Sequence, residues 1–223
     1  MEKKIVLLHG WGARADKLEA LGSELERLGW ETLDLDMPGF GLPAPKFAWG
    51  LDEYADWVKR EAHKKWKEYI VFGHSFGGRI AIKMAISGEL RGVVLCAPGG
   101  LSRPNGIKRL VFGFLARLGR FLGLVQYKWI LYKLAREHDY EKTSGVMREV
   151  FRKIVEEDLN PLSEKINVPT LVLWGKQDRV VPYTDGQKFK QAKLVLFEGQ
   201  GHKLPYELPE RVAREIDVWF SSL

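Results

Sequence analysis

The sequence predicts an α/β fold, a three-layer α/β/α sandwich in which a mainly parallel sheet is covered by helices on both faces. Three observations support this expectation. Short, wholly apolar segments alternate with longer amphipathic ones, glycine or proline stands at most of the junctions, and 45% of the 223 residues are hydrophobic, enough to cover a sheet twice. Strands buried on both faces read as continuous runs of Val, Ile and Leu, whereas helices keep an apolar period near 3.6 residues.

The elements follow in order. "KKIVLLHG" is a first strand closed by glycine, and "DKLEALGSELERLGW" is helical, with Leu18, Leu21, Leu25 and Leu28 on one face. "ETLDLDMPG" is a second strand that stops at a Pro-Gly turn. "LDEYADWVKREAHKKWKE" returns to helical spacing through Leu51, Tyr54, Trp57 or Val58, and Ala62. Then come "YIVFG" as strand, "GRIAIKMAIS" as helix and "GVVLCAP" as strand. After a long interruption the rhythm resumes with "PTLVLWG" as strand, "YTDGQKFKQA" as helix, "KLVLFEG" as strand and "PERVAREIDVWFSS" as helix. The chain opens directly on its first strand, so about six parallel strands are expected. The organisation is one core domain, 1–100 with 161–223, and a helical insertion at 101–160.

That insertion is chemically distinct. "SRPNG" breaks the chain, after which Ile107, Leu110, Val111, Phe114, Leu118, Phe121, Leu122 and Val125 form a helical stripe. Two further helices are expected over "YKWILYKLARE" and "SGVMREVFRKIVEEDL". Between Arg103 and Lys153 stand twelve Lys or Arg against four Asp or Glu, which accounts for the net charge of +6, since the rest of the chain is slightly acidic. The expectation is a stripe that packs on the core and roofs a pocket, with Phe114 against the substrate and the charges in water. A basic amphipathic lid making peripheral contact with anionic lipid is the alternative, and an acidic substrate is a third option.

Several function classes drop out. Basicity confined to one insertion, without a helix-turn-helix, zinc-finger or RNA-binding motif, argues against a nucleic-acid partner. No uncharged apolar run approaches the roughly 20 residues that cross a bilayer, and the four-residue apolar core of "MEKKIVLLHG" is too short for a secretory signal. Cys96, the single cysteine, cannot form an internal disulfide and lies in an apolar run, consistent with a reducing, cytoplasmic setting.

In parallel sheets, ligands bind beyond the carboxyl ends of the strands, and the chemistry-bearing residues fall there. "GHSFG" joins a strand to a helix through a turn that must be very tight, with Gly73 and Gly77 leaving room and Ser75 at the apex. A serine hydroxyl is a weak nucleophile without a base. Of the five histidines, His9 shapes a loop, His63 lies among lysines on a polar helix face, His138 lies in the insertion, and His74 adjoins Ser75 in a turn that aims neighbours apart. His202, after "KLVLF" and flanked by glycine, remains as the base; its other reading is a loop residue capping the last helix. The orienting carboxylate must also sit at a strand end, and "LVLWGKQDRVVP" offers Asp178; the alternative there is a turn aspartate bonding its own backbone. Asp185 is the next acid, but it falls in the segment read as helix. Donors for a developing oxyanion are the backbone N–H groups of Phe76 and of Trp11 in "HGWG", where the Trp11 ring also lines the pocket.

Five ordered stretches, "LLHGWG", "DLDMPGFG", "GHSFGG", "WGKQDRVVP" and "GQGHKLPYELPERV", together resemble the α/β-hydrolase family across nearly the whole chain. The resemblance implies the α/β-hydrolase fold with a lid at the insertion, Ser75 as nucleophile, His202 as base, Asp178 as orienter, and the Trp11 and Phe76 amides as oxyanion hole. "HGWG" is similar to carboxylesterases acting on short acyl esters. The expected activity is therefore hydrolysis of a small-molecule carboxylic ester through an acyl-enzyme, with neither cofactor nor metal. Carbon–carbon, thioester or amide cleavage on the same triad is the alternative, as is a non-catalytic receptor of the same fold.

Overall fold

The computed structural model describes residues 2–101 and 145–223. Phe114, the apolar stripe of the insertion and its expected second helix lie outside the described residues.

Six strands, Lys4–Leu8 (β1), Glu31–Leu35 (β2), Ile70–His74 (β3), Gly92–Cys96 (β4), Thr170–Gly175 (β5) and Lys193–Phe197 (β6), form a single sheet in the order β2-β1-β3-β4-β5-β6. Every neighbouring pair is parallel. The described helices are Glu19–Arg27 (α1), Leu51–His63 (α2), Phe76–Ile86 (α3), Val146–Glu156 (α4), Asn160–Ser163 (α5), Leu204–Glu207 (α6) and Pro209–Phe220 (α7).

Successive strand residues face opposite sides, and here both sides are apolar. Val6, Leu8, Val71, Val93 and Val172 enter one core with Tyr54 and Val58 of α2 and Ile80 of α3. Ile5, Leu7, Phe72, Val94 and Leu171 enter the other with Leu21 and Leu25 of α1 and Val212 and Ile216 of α7. Each such aliphatic side chain taken out of water contributes about 2 kcal/mol, so the apolar runs that marked the strands also hold the three layers together.

Two elements differ from the sequence reading. The first helix opens with a 3-10 turn, Ala15–Leu18, before α1. The segment "YTDGQKFKQA" forms only a 3-10 helix over Tyr183–Lys188. Its buried residues are Asp185, Gly186 and Phe189, too few apolar contacts to hold an α-helix that glycine already weakens.

The strand order sets the site. From β1 the chain steps outward to β2, then returns to lay β3 on the other side of β1. The crevice at the carboxyl ends of β1 and β3 is the place where the order reverses, the position at which open parallel sheets bind ligands.

Candidate active site

Only Ser75 separates the end of β3 from the start of α3. Its backbone sits at φ 53°, ψ −103°, a region that non-glycine residues rarely occupy and that persists only where the surroundings enforce it. Those surroundings are visible. Ser75 N–H donates to the Cys96 carbonyl at 3.0 Å, and Gly77 N–H donates to the His9 carbonyl at 3.1 Å. A Cβ on Gly73 would stand 2.3 Å from the Gly77 carbonyl oxygen, and one on Gly77 would stand 2.3 Å from that of Leu8. The helix therefore lies directly on β1 and β3, and Ser75 is lifted at the apex.

Two loops meet beside it. Lys176 N–H donates to the Phe197 carbonyl at 3.0 Å and Gln177 N–H to that of Gln200 at 2.9 Å, which zips the segment after β5 to the segment after β6. This brings Asp178 to His202. Asp178 Oδ2 accepts from His202 Nδ1 at 2.7 Å, while Oδ1 accepts from the Val180 and Val181 amides at 2.7 and 2.9 Å. The carboxylate thus bonds the histidine through one oxygen and its own loop backbone through the other. Burial alone would raise its carboxyl; the His202 N–H and charge, with the two amides, outweigh that and hold it below the ordinary carboxylate range. With Nδ1 donating, Nε2 of His202 is left to accept a proton. Among the described residues no hydrogen bond joins Ser75 Oγ to His202, a contact that in unliganded sites often tightens only around substrate. Asp185 stays apart from this pair: it is buried and bound to Lys188 at 2.8 Å.

His74 has a role that its neighbourhood in the sequence did not reveal. Its Nε2 donates to the carbonyl of His202 at 2.8 Å, and its Nδ1 accepts from the Tyr206 hydroxyl at 3.0 Å. Burial, with the His202 ring 4.9 Å away, pushes its pKa down to about 3, so it stays neutral and keeps this tautomer. The residue next to Ser75 thus grips the backbone of His202, and Tyr206 on α6 grips His74. No local pattern links positions 74 and 206; only the fold does. His9, as expected, shapes a loop: buried, it accepts from the Met37 amide at 3.3 Å through Nε2 and donates to the Gly10 carbonyl at 2.9 Å through Nδ1.

The backbone N–H groups of Trp11 and Phe76 take no part in the turn and cap hydrogen bonds of the described residues. The Trp11 ring packs edge-on against Phe40, Phe76 and Phe151, with centroids 4.7, 5.3 and 5.0 Å away. Trp11, Ser75 and Phe76 line a cavity of about 270 Å³ shared with Phe151 and Ile154 of α4 and with Val181. The structure thus gathers Ser75, Asp178, His202, Trp11 and Phe76 at one end of the sheet. Among the described residues no group of three or more His, Cys, Asp or Glu converges as a metal-binding set, and no helix is long and apolar enough to cross a membrane.

A family model described as the alpha/beta hydrolase family matches residues 5–215. The chain is 26% identical over 241 residues to the AB hydrolase superfamily protein YisY of Bacillus subtilis, covering 94% of this chain and 88% of that one. It is 23% identical over 225 residues to a pimeloyl-(acyl-carrier protein) methyl ester esterase of Neisseria meningitidis, covering 90% of this chain and 86% of that one. Among solved structures, an esterase from Exiguobacterium antarcticum superposes with a TM-score of 0.73 at 20% identity, over 98% of this chain and 92% of that one.

Proposed function

Because the chain belongs to the alpha/beta hydrolase family and is an enzyme of that type, we propose that it cleaves carboxylic esters of small or medium size through Ser75, His202 and Asp178. The observation that carries this reading is the 2.7 Å bond between Asp178 and His202, which fixes the histidine tautomer beside a serine on a tight strand-to-helix turn. In this scheme His202 Nε2 takes the Ser75 proton as Oγ attacks the carbonyl carbon. The developing oxyanion is met by the N–H groups of Trp11 and Phe76. His202 then delivers its proton to the departing alcohol, leaving an acyl-serine, and afterwards activates water to release the acid. The ester choice over other acyl groups follows the "HGWG" loop and the relative from Neisseria, whose name states ester cleavage.

The test pairs turnover with labelling. Purified protein is given p-nitrophenyl esters from acetate to dodecanoate, and separately a fluorophosphonate followed by peptide mass mapping. Hydrolysis with a chain-length optimum, and a phosphonyl adduct on the peptide that contains Ser75, are expected. An adduct on another residue would move the nucleophile, and neither turnover nor adduct would overturn the reading.

A further inference from the structure

The cavity beside Ser75 contains a cation that is in no salt bridge among the described residues. Arg79 lies four positions after Ser75, near the start of α3. It lines the cavity together with Trp11, Ser75 and Phe76. Its guanidinium packs against the backbone of Gly99 and Gly100, where an added Cβ would stand 2.9 Å from Nε and 3.0 Å from Cζ. Among the described residues one of its five N–H bonds is used: Nη1 donates to the carbonyl of Ile154, near the end of α4. Glu157, the acid that acts on it electrostatically, is already paired with Lys83 at 2.9 Å. Burial accordingly pushes the guanidinium down to about 10, the direction expected of a charge taken from water without full compensation.

A single anchoring bond to Ile154 does not explain a charged, forked donor at this place, since a neutral amide satisfies a carbonyl equally well. We propose that Arg79 is a substrate-binding residue for esters carrying a carboxylate a few bonds from the scissile carbonyl. The inference rests on Ser75 being the nucleophile. A guanidinium presents parallel N–H bonds that match a carboxylate, and partial burial strengthens the pairing relative to water. Because Arg79 stands at a fixed offset from Ser75, selectivity should depend on the length of the spacer between the two carbonyl groups.

The test compares p-nitrophenyl monoesters of succinate, glutarate and adipate with neutral p-nitrophenyl esters of matched length, in wild type, Arg79→Gln and Arg79→Lys. The wild type is expected to favour the anionic partner at one spacer length, about tenfold or more in kcat/KM, chiefly through KM. Arg79→Gln should cut that anionic-to-neutral ratio about tenfold, and Arg79→Lys should fall between. A ratio that is unchanged in Arg79→Gln, or equal losses on both series, would overturn the proposal and leave Arg79 as the anchor of Ile154. Calorimetric titration of the same proteins with glutarate and adipate separates the two readings. Binding that is lost in Arg79→Gln supports the anion site even without ester turnover; turnover of neutral esters with no diacid binding and no anionic preference overturns the site and leaves the ester hydrolase standing.

Discussion

Asp178→Asn is expected to lower ester turnover about ten-thousand-fold, and Ser75→Ala about a million-fold, while both variants keep the wild-type circular dichroism. The aspartate effect is the more instructive because its mechanism can be followed atom by atom. Oδ1 of Asp178 is held by the amides of Val180 and Val181, an arrangement that asparagine reproduces with its own oxygen. Its NH2 group must then face His202 where Oδ2 accepted before. The imidazole Nδ1 becomes an acceptor and the proton moves to Nε2, so the nitrogen that in the proposed scheme takes the Ser75 proton can no longer do so. Turnover within about tenfold of wild type in Asp178→Asn would place the orienting acid elsewhere. The pH profile adds a check: Asp178 is held below the ordinary carboxylate range and His74 near 3, so a limb of activity between pH 5 and 8 belongs to neither.

The second large effect concerns folding. Gly77→Ala is expected to yield little soluble protein, because the new methyl would lie 2.3 Å from the Leu8 carbonyl oxygen and 2.7 Å from its carbon. Both neighbours are backbone of β1, which is fixed by pairing to β2 and β3. Relief requires α3 to lift off the sheet, opening the core around Ile80 and Val71, at a cost of about 3 kcal/mol or more against a total stability of roughly 5–15 kcal/mol. Gly88→Ala is the control, since nothing lies within 4 Å of its Cβ position; there only the positive φ of 73° is strained, for about 1 kcal/mol. Equal melting temperatures for the two variants would show that the turn tolerates movement of the helix.

Much of this architecture was legible from the residues, for identifiable reasons. Strands such as "GVVLC" are buried on both faces, so their apolar runs announce them without any partner. The candidate site residues that carry local punctuation are singled out by it: Ser75 between paired glycines, Asp178 after a strand-ending glycine, His202 between Gly201 and Lys203. What stayed hidden depended on contacts across the chain. Tyr206 and His74 meet over 132 positions, and Arg79 reads as an ordinary polar residue on an amphipathic helix until the cavity beside it is seen. The segment at Tyr183–Lys188 reads as an α-helix by composition, while its sparse apolar contacts sustain only a 3-10 helix.

The position of β6 in the sheet bears on how the protein loses function. Ser75 and Asp178 follow β3 and β5, inner strands whose residues are all buried, whereas His202 follows β6, which among the described strands lies at the edge and pairs with β5 alone, with a single fully buried residue, Phe197. Edge segments with fewer buried contacts open at lower free energy than the centre of a fold. Fraying of this border would carry off His202, the proposed base, while Ser75 and the sheet beneath it persist. In rising urea, ester turnover is therefore expected to vanish before tryptophan fluorescence reports global unfolding; coincident midpoints would mean that the border and the centre melt as one cooperative unit.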